Sequence, residues 1–190
     1  CSPNYLHDAH IRFALRNRAH AICEKPTVLN PWTLAALQGI EDATGRRVFS
    51  ILQLRLHPAI AALTERIDAE GSKVHDVDLA YITSRGHWYH SSWKGELTKS
   101  GGIATNIGLH FFDMLAWVFG PIQQSMVHVN RGDCAAGLLC LQHARVRWFL
   151  SINANHLPEA QRLKGQRTYR SITVGGEEIV EMLARALRQR

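Results

Sequence analysis

Gly101-Gly102-Ile103-Ala104-Thr105-Asn106-Ile107-Gly108-Leu109-His110-Phe111-Phe112-Asp113-Met114-Leu115-Ala116-Trp117-Val118-Phe119-Gly120 is the stretch on which the reading of this chain turns. A glycine pair breaks regular structure at its start, and Gly120-Pro121 stops it at its end. Between them Ala104, Ile107, Leu109, Phe111, Phe112, Leu115, Ala116 and Phe119 recur at three- and four-residue spacing, which predicts an amphipathic helix. On such a helix Asn106, His110 and Asp113 fall at i, i+4 and i+7, so one stripe of an apolar rod carries an amide, an imidazole and a carboxylate. Two uses fit that stripe. It is a functional site, or it is a core histidine satisfied by a backbone carbonyl beside a solvated aspartate.

Upstream, His7 to Arg18 has helical periodicity and His20-Ala21-Ile22-Cys23 is a short apolar run of the kind that forms a buried parallel strand. Helix and strand together are half of a βαβ crossover. The strand runs out into Glu24-Lys25-Pro26, and in open α/β sheets ligands bind beyond the carboxyl ends of the strands. Pro31 to Thr44 is predicted as a helix, with Asn30 as its N-cap, Pro31 in the first position and Gly45 as its stop. Val48 to Leu56 reads as a strand, Pro58 to Ile67 as a helix and Asp76 to Arg85 as a strand.

Arg85 to Gly95 is dense in aromatic rings, hydroxyls and cations. Aromatic faces stack on sugars and bases while Arg and Lys pair with phosphate or carboxylate, so the loop suits an anionic nucleotide sugar. Tryptophans that pin a loop to the core are the other reading. Beyond the central helix, Met126 to Val129, Ala136 to Gln142 and Val146 to Asn153 read as consecutive antiparallel strands, with Tyr169 to Val174 as a last strand and Glu177 to Arg190 as an arginine-rich helix. The predicted fold is an α/β fragment followed by an α+β part, whose open, mainly antiparallel sheet has helices on one face. The boundary is expected at residue 30, with a remnant of a dinucleotide-binding domain before it and a substrate-binding and oligomerisation domain over 31–190.

The 190 residues are 46% hydrophobic and 20% charged, ordinary values for a globule. Apolar runs fall short of the ~18 residues that span a bilayer, and a secretory leader pattern is missing, so the expectation is a cytoplasmic protein without a membrane partner. The net charge of +6 is scattered rather than clustered. An anionic small substrate therefore fits better than nucleic acid. Four cysteines without C-x-x-C spacing signal neither a metal nor a redox dithiol.

The glycine pair, the helix with an amide four before a histidine, the Asp three after it and the closing Phe-Gly together resemble the second domain of the Gfo/Idh/MocA family of sugar dehydrogenases. Ser2-Pro3-Asn4 with His7, and Glu24-Lys25-Pro26, resemble two further motifs of that family. The resemblance implies that Pro3, Asn4, His7, Glu24, Lys25 and Pro26 lie at the nicotinamide end of NAD, with the proline commonly in a cis bond. It implies a catalytic pair, in which His110 takes a hydroxyl proton and Lys25 stabilises the developing alkoxide.

Gln53-Leu54-Arg55-Leu56-His57-Pro58, Trp93-Lys94-Gly95 and Thr105 to His110 look like the subgroup that oxidises C3 of UDP-N-acetylglucosaminuronic acid in lipopolysaccharide O-antigen or polysaccharide synthesis. Arg55, Arg85, Trp88, Tyr89, Trp93, Lys94, Asn106 and His110 are then expected around the UDP-sugar. Asn106 departs from the Asp of many relatives, and the basic end after Val174 departs from the family pattern. The Gly-x-Gly-x-x-Gly turn of such enzymes does not occur in the sequence. The resemblance starts at the Pro-Asn turn, so roughly four strands of the cofactor domain are expected to be missing and the chain as it stands to be inactive. The alternative expectation is a non-catalytic binding or oligomerisation module, a homo-oligomer paired through the strands Ala136 to Leu150.

Overall fold

The computed structural model describes residues 2–179. In chain order its elements are α1 (His7–Arg16), β1 (Ala21–Glu24), α2 (Pro31–Thr44), β2 (Val48–Ile51), α3 (Pro58–Ala69), β3 (His75–Thr83), α4 (His87–His90), α5 (Leu97–Ser100), α6 (Leu109–Phe119), β4 (Ile122–Asn130), β5 (Cys134–Leu141), β6 (Ala144–Ser151), α7 (Glu159–Leu163), β7 (Thr168–Val174) and β8 (Glu177–Glu178). The chain divides into two compact units. One joins residues 1–52 with 87–109, and the other joins 53–86 with the chain from 110 onward.

In the first unit β1 and β2 pair in parallel, Ala21 opposite Val48 and Glu24 opposite Ile51. Ile11 and Leu15 from α1 meet Ala21, Cys23 and Leu37 in one apolar cluster, which is why the helix and strand patterns predicted for this region coexist. The Asn30 side chain accepts a hydrogen bond from Trp32 N at 2.9 Å, and Gly45 takes a left-handed φ of 66° that stops α2. Because β2 completes the crossover that β1 begins, residues 31–52 go with the α/β unit. The sequence reading had placed the boundary at residue 30. The strand expected to reach Leu56 stops at Ile51, since Gln53–Leu56 winds into a 3₁₀ turn and His57 then caps α3 by accepting from Ala59 N at 3.2 Å.

The second unit is a six-stranded sheet in the order β4-β5-β6-β3-β7-β8. The expected antiparallel run β4-β5-β6 is present. The sequence did not foretell that β3 inserts between β6 and β7, parallel to the first (Val77 opposite Val146) and antiparallel to the second (Val77 opposite Val174). Alternation along the strands puts Val77, Leu79, Leu139, Leu141, Val146, Trp148, Ile172 and Val174 in the core. Helix α6 covers that face. Phe111 lies 5.1 Å from Tyr81, Phe112 lies 5.1 Å from Trp148 and Phe119 lies 6.0 Å from His75, centroid to centroid. On the opposite face Arg147 makes paired hydrogen bonds of 2.6 and 2.7 Å to Asp78.

The central helix is not one regular rod. Gly101 and Gly102 take φ of 79° and 74°, a region that L side chains avoid, and Ala104–Gly108 forms a π turn before α6 begins. The regular spacing assumed for the Asn106, His110 and Asp113 stripe therefore holds only from Leu109 onward. Leu97–Phe119 is long and apolar enough to cross a membrane by length and composition, contrary to the reading of the sequence. However, Phe111, Met114, Leu115, Val118 and Phe119 are buried within the protein, as in a core helix. Of the terminal helix expected from Glu177, Glu177–Glu178 is instead the short strand β8, and residues 180–190 lie outside the described residues.

Candidate active site

Strand β1 delivers Glu24 to its carboxyl end, and the Lys25–Pro26 bond that follows is cis. His7, buried in the first turn of α1, lies between this turn and the amino-terminal Ser2-Pro3-Asn4 turn. Its Nδ1 lies 2.7 Å from Pro26 O and its Nε2 3.0 Å from Ser2 O. The Lys25 ammonium donates to the backbone carbonyl oxygen of Asn106 in the π turn. Burial lowers the Lys25 pKa from its usual value, with the Lys94 charge acting in the same direction and Glu24 against it.

Asn4 is 5% exposed and gives both amide hydrogens to the protein, one to Ser100 O at 3.1 Å and one to Asn106 Oδ1 at 3.2 Å. Asn106 Nδ2 in turn donates to the Tyr89 hydroxyl at 3.4 Å. Three of the residues expected from sequence, Asn4, Lys25 and Asn106, thus meet in one hydrogen-bonded group, and His7 braces it from the Pro26 side. Asn4 and His7 thus hold the turns in place with their side-chain polar atoms.

The aromatic loop belongs to the same unit. Lys94 Nζ stands 5.6 Å from the Trp88 ring and 5.7 Å from the Trp93 ring, a cation held between two indoles. Trp88 is 53% exposed while Tyr89 is buried. The buried ring of this loop is thus Tyr89 rather than a tryptophan, while Trp88 is exposed and Trp93 half-buried. Gly95, named in the sequence only as part of the Trp93-Lys94-Gly95 motif, has a steric reason. A Cβ there would stand 2.7 Å from His90 Cα and 2.8 Å from Tyr89 O, so only glycine lets the loop double back on its own helix.

A cleft of about 770 Å³ runs along α1 and β1, lined by Ser2, His7, His10, Ile22, Cys23 and Glu24 among others. Ile11, Ala14, Ala21 and Ile51 complete an apolar wall, so a dinucleotide would meet only Ser2, three histidines and Glu24 as polar side chains there. The pyrophosphate end has no glycine-rich turn in this sequence to hold it.

In the second unit Arg55 grips Asp113 with two hydrogen bonds, Nε to Oδ2 at 2.7 Å and Nη2 to Oδ1, and its guanidinium lies 4.8 Å from the Trp117 ring. The hydrogen bond to Asp113 raises the Arg55 pKa. The arginine expected to hold substrate is thus already paired with the aspartate of the helix stripe. His110 is half-buried in the first turn of α6, and Arg85 N donates to Ile152 O at 3.1 Å. Elsewhere in this unit Asp133, Cys134 and His156 bring side-chain donor atoms within 4.8 Å of one another. Asn153 Nδ2 donates to Asp133 Oδ2 and Ser151 Oγ contacts His156 Nδ1, each at 2.8 Å, so hydrogen bonds already connect the group.

Comparison with known proteins gives this geometry a context. The family model described as "Oxidoreductase family, NAD-binding Rossmann fold" matches residues 1–51, and that described as "Oxidoreductase family, C-terminal alpha/beta domain" matches residues 70–178. The WlbA (WbpB) dehydrogenase of Thermus thermophilus, solved with NAD and alpha-ketoglutarate, is 53% identical, with a TM-score of 0.89 over 94% of this chain and 57% of its own. The same enzyme solved with NAD and UDP-GlcNAcA is 50% identical over 98% of this chain and 63% of its own, again with a TM-score of 0.89. The WlbA dehydrogenase of Bordetella pertussis is 21% identical with a TM-score of 0.76, a likeness of fold. This chain therefore spans about three fifths of the Thermus structures it matches. On the match to residues 70–178, more than half its length, the chain belongs to the Gfo/Idh/MocA family of NAD-dependent oxidoreductases.

Proposed function

We propose that this chain carries the substrate side, and the end of the cofactor side, of a cytoplasmic NAD-dependent dehydrogenase. The enzyme would oxidise the C3 hydroxyl of UDP-N-acetylglucosaminuronic acid for lipopolysaccharide O-antigen or polysaccharide synthesis. The observation that carries this reading is the 50% identity, over 98% of the chain, to an enzyme solved with NAD and UDP-GlcNAcA. NAD, when bound, supplies the hydride acceptor. Pro3, Asn4, His7, Glu24 and Pro26 shape the turn beside its nicotinamide. Lys25, an ammonium withdrawn from water, stabilises negative charge as it develops on the hydroxyl oxygen, and His110 accepts the proton. Lys94, Trp88 and Trp93 offer a cation and flat faces to the nucleotide sugar, with Arg85 and Arg55 as further cations for its anionic groups.

Tryptophan fluorescence tests the reading, since the chain holds five tryptophans. UDP-N-acetylglucosaminuronate should quench it, and Lys94→Ala should weaken the response. A chain whose fluorescence ignores the sugar nucleotide overturns the assignment. NADH formation measured by absorbance should be negligible, because the sequence lacks the glycine turn that anchors a pyrophosphate. Rapid turnover would show that the cofactor is anchored in another way.

A second reading, a module for self-association, is favoured by strand β4, where Ile122, Met126 and Val127 are exposed. Met126 sits opposite Leu138, on the sheet face away from α6. A homo-oligomer paired through that face predicts sedimentation as a dimer, reduced to a monomer by Met126→Lys. A monomer in the unaltered chain removes this reading.

A further inference from the structure

Asp133, Cys134 and His156 bring a carboxylate oxygen, a thiol sulfur and an imidazole nitrogen within 4.8 Å of one another, and among the described residues no other three His, Cys, Asp or Glu side chains do so. Cysteine spacing carried no sign of this group, because the sheet assembles it. Cys134 opens β5 opposite Ser151 at the end of β6, and the chain runs from there into the 3₁₀ turn Ala154–His156. A residue adjacent to the thiol and one from the turn beyond the neighbouring strand thus meet at one end of the sheet.

Asn153 orients two of the three side chains at once. Its Oδ1 accepts from Asn155 N at 2.9 Å, which starts the turn that carries His156, and its Nδ2 donates to Asp133 Oδ2 at 2.8 Å. Ser151 Oγ lies 2.8 Å from His156 Nδ1 and holds the ring. A carboxylate and an imidazole each have a second ligating atom beyond the one engaged in this way. The Cys134 thiol, in a residue 5% exposed, hydrogen-bonds to the Asp133 carboxylate. Metal ligands are held in the same manner, each fixed through its remaining polar atom by a hydrogen-bond partner behind it.

We propose that Asp133, Cys134 and His156 form a binding site for a divalent, thiol-seeking cation, with Zn²⁺ as the ion that fits. Mg²⁺ and Ca²⁺ take oxygen ligands, whereas one sulfur, one nitrogen and one oxygen make a set that Zn²⁺ accepts, with water in the fourth tetrahedral place. Around Zn²⁺ such donors stand roughly 3.3–3.7 Å apart, so the group closes by about 1.5 Å at most. Asp133 is half-buried and His156 exposed, which leaves room for that adjustment and an opening for the ion. The thiol releases its proton to water as the zinc–sulfur bond forms, and thiolate and carboxylate together balance the two positive charges. The ion takes over from the hydrogen bond between Cys134 and Asp133 and ties the start of β5 to the turn that leaves β6.

Titration of the full chain with Co²⁺ tests the site, since Co²⁺ substitutes for Zn²⁺ and a cobalt–thiolate bond has a near-ultraviolet charge-transfer band. The band should saturate at one Co²⁺ per chain and disappear when Zn²⁺ is added. It should be lost in Cys134→Ser and kept in a chain with Cys1→Ser, Cys23→Ser and Cys140→Ser, where Cys134 is the sole cysteine. Asn153→Ala should weaken binding ~10- to 100-fold, and His156→Ala or Asp133→Asn by at least as much. Zn²⁺ should raise the Tm of the unaltered chain and leave that of His156→Ala unchanged. Absence of the band, a band that survives Cys134→Ser, or an affinity unaltered by His156→Ala and Asp133→Asn overturns the proposal. If a cysteine variant fails to fold, His156→Ala, at an exposed position, decides against the unaltered chain by both band and Tm.

Discussion

Lys25 and Asn106, 81 positions apart in the chain, are joined by a hydrogen bond from the lysine ammonium to the asparagine backbone carbonyl oxygen. Desolvation at that site, aided by Lys94, lowers the Lys25 pKa from its usual 10.5. Lys99 is the opposite case, raised by its hydrogen bond to Glu96. At any pH below 10.5 Lys25 should therefore be acylated with a larger amine fraction than Lys99, and its labelling midpoint should fall at lower pH. Between the folded and unfolded pKa values the unfolded chain binds more protons, so the Lys25 contribution makes stability rise with pH across that window. Mass spectrometry of peptides labelled over a pH series reads both lysines at once. Coincident midpoints would remove the assignment.

Arg55→Met should destabilise the second unit through Asp113, which is left with neither of its two hydrogen bonds. Breaking a buried pair costs about 3–5 kcal/mol and an exposed one about 0–1 kcal/mol. With the Arg55 side chain 36% exposed and that of Asp113 13% exposed, about 1–2 kcal/mol is expected after allowing for solvent screening. Arg55→Lys should not restore it, because an ammonium cannot make the planar double contact or lie flat on Trp117. Urea unfolding of the three proteins decides. A lysine variant as stable as the parent would mean that charge alone matters here.

Gly137→Ala should be damaging, since Gly137 is buried in β5. A Cβ at 137 would collide with the Met126 carbonyl oxygen and stand 2.8 Å from Trp148 Cζ2. The bulge between Val127 and Val129 lies immediately alongside. Forcing extra volume into a packed sheet typically costs about 1–3 kcal/mol. A lowered Tm with an altered Trp148 emission would confirm the clash, and an unchanged Tm would show that β4 simply moves away.

Thiol reagents should distinguish the cysteines. Cys134 is raised by burial and then by the neighbouring Asp133 charge, and Cys23 by burial and then by Glu24. Cys140 is only half-buried. Among the three described cysteines it should react first in the native chain, and Cys134 and Cys23 only on unfolding. Cys140 alternates with Leu139 on β5 and so shares the face of Leu138 and Met126. Protection of Cys140 at high protein concentration would therefore accompany pairing through that face.

Local chemistry made much of this legible from sequence alone. Helix α2 was legible at both ends because Asn30 and Pro31 at its start and Gly45 at its stop each act on the residues next to them. The meander β4-β5-β6 was visible because its turns are short. The placement of β3 was hidden, since a strand's partners depend on long-range pairing that its own residues do not encode. In the site, the Lys25 turn and the helix motif were visible as motifs. The Arg55 grip on Asp113 and the Asn4 link to Asn106 were not, because each joins residues far apart in sequence. The π turn was also hidden, as the apolar spacing of Ala104 and Ile107 runs on into that of α6.

Strand β3 lies at the middle of its sheet, yet both of its neighbours, β6 and β7, are made more than sixty residues after it. During synthesis on a ribosome His75 to Thr83 must therefore wait with both edges bare until Ala144 to Ser151 has emerged, and the helix meant for its inner face also emerges in the interval. Pairings of such long sequence separation close slowly. An apolar strand with two open edges is also a template for the wrong partner. The assembly of this sheet is thus governed by its latest strands, and a nascent chain halted before Ser151 would be the form most in need of a chaperone.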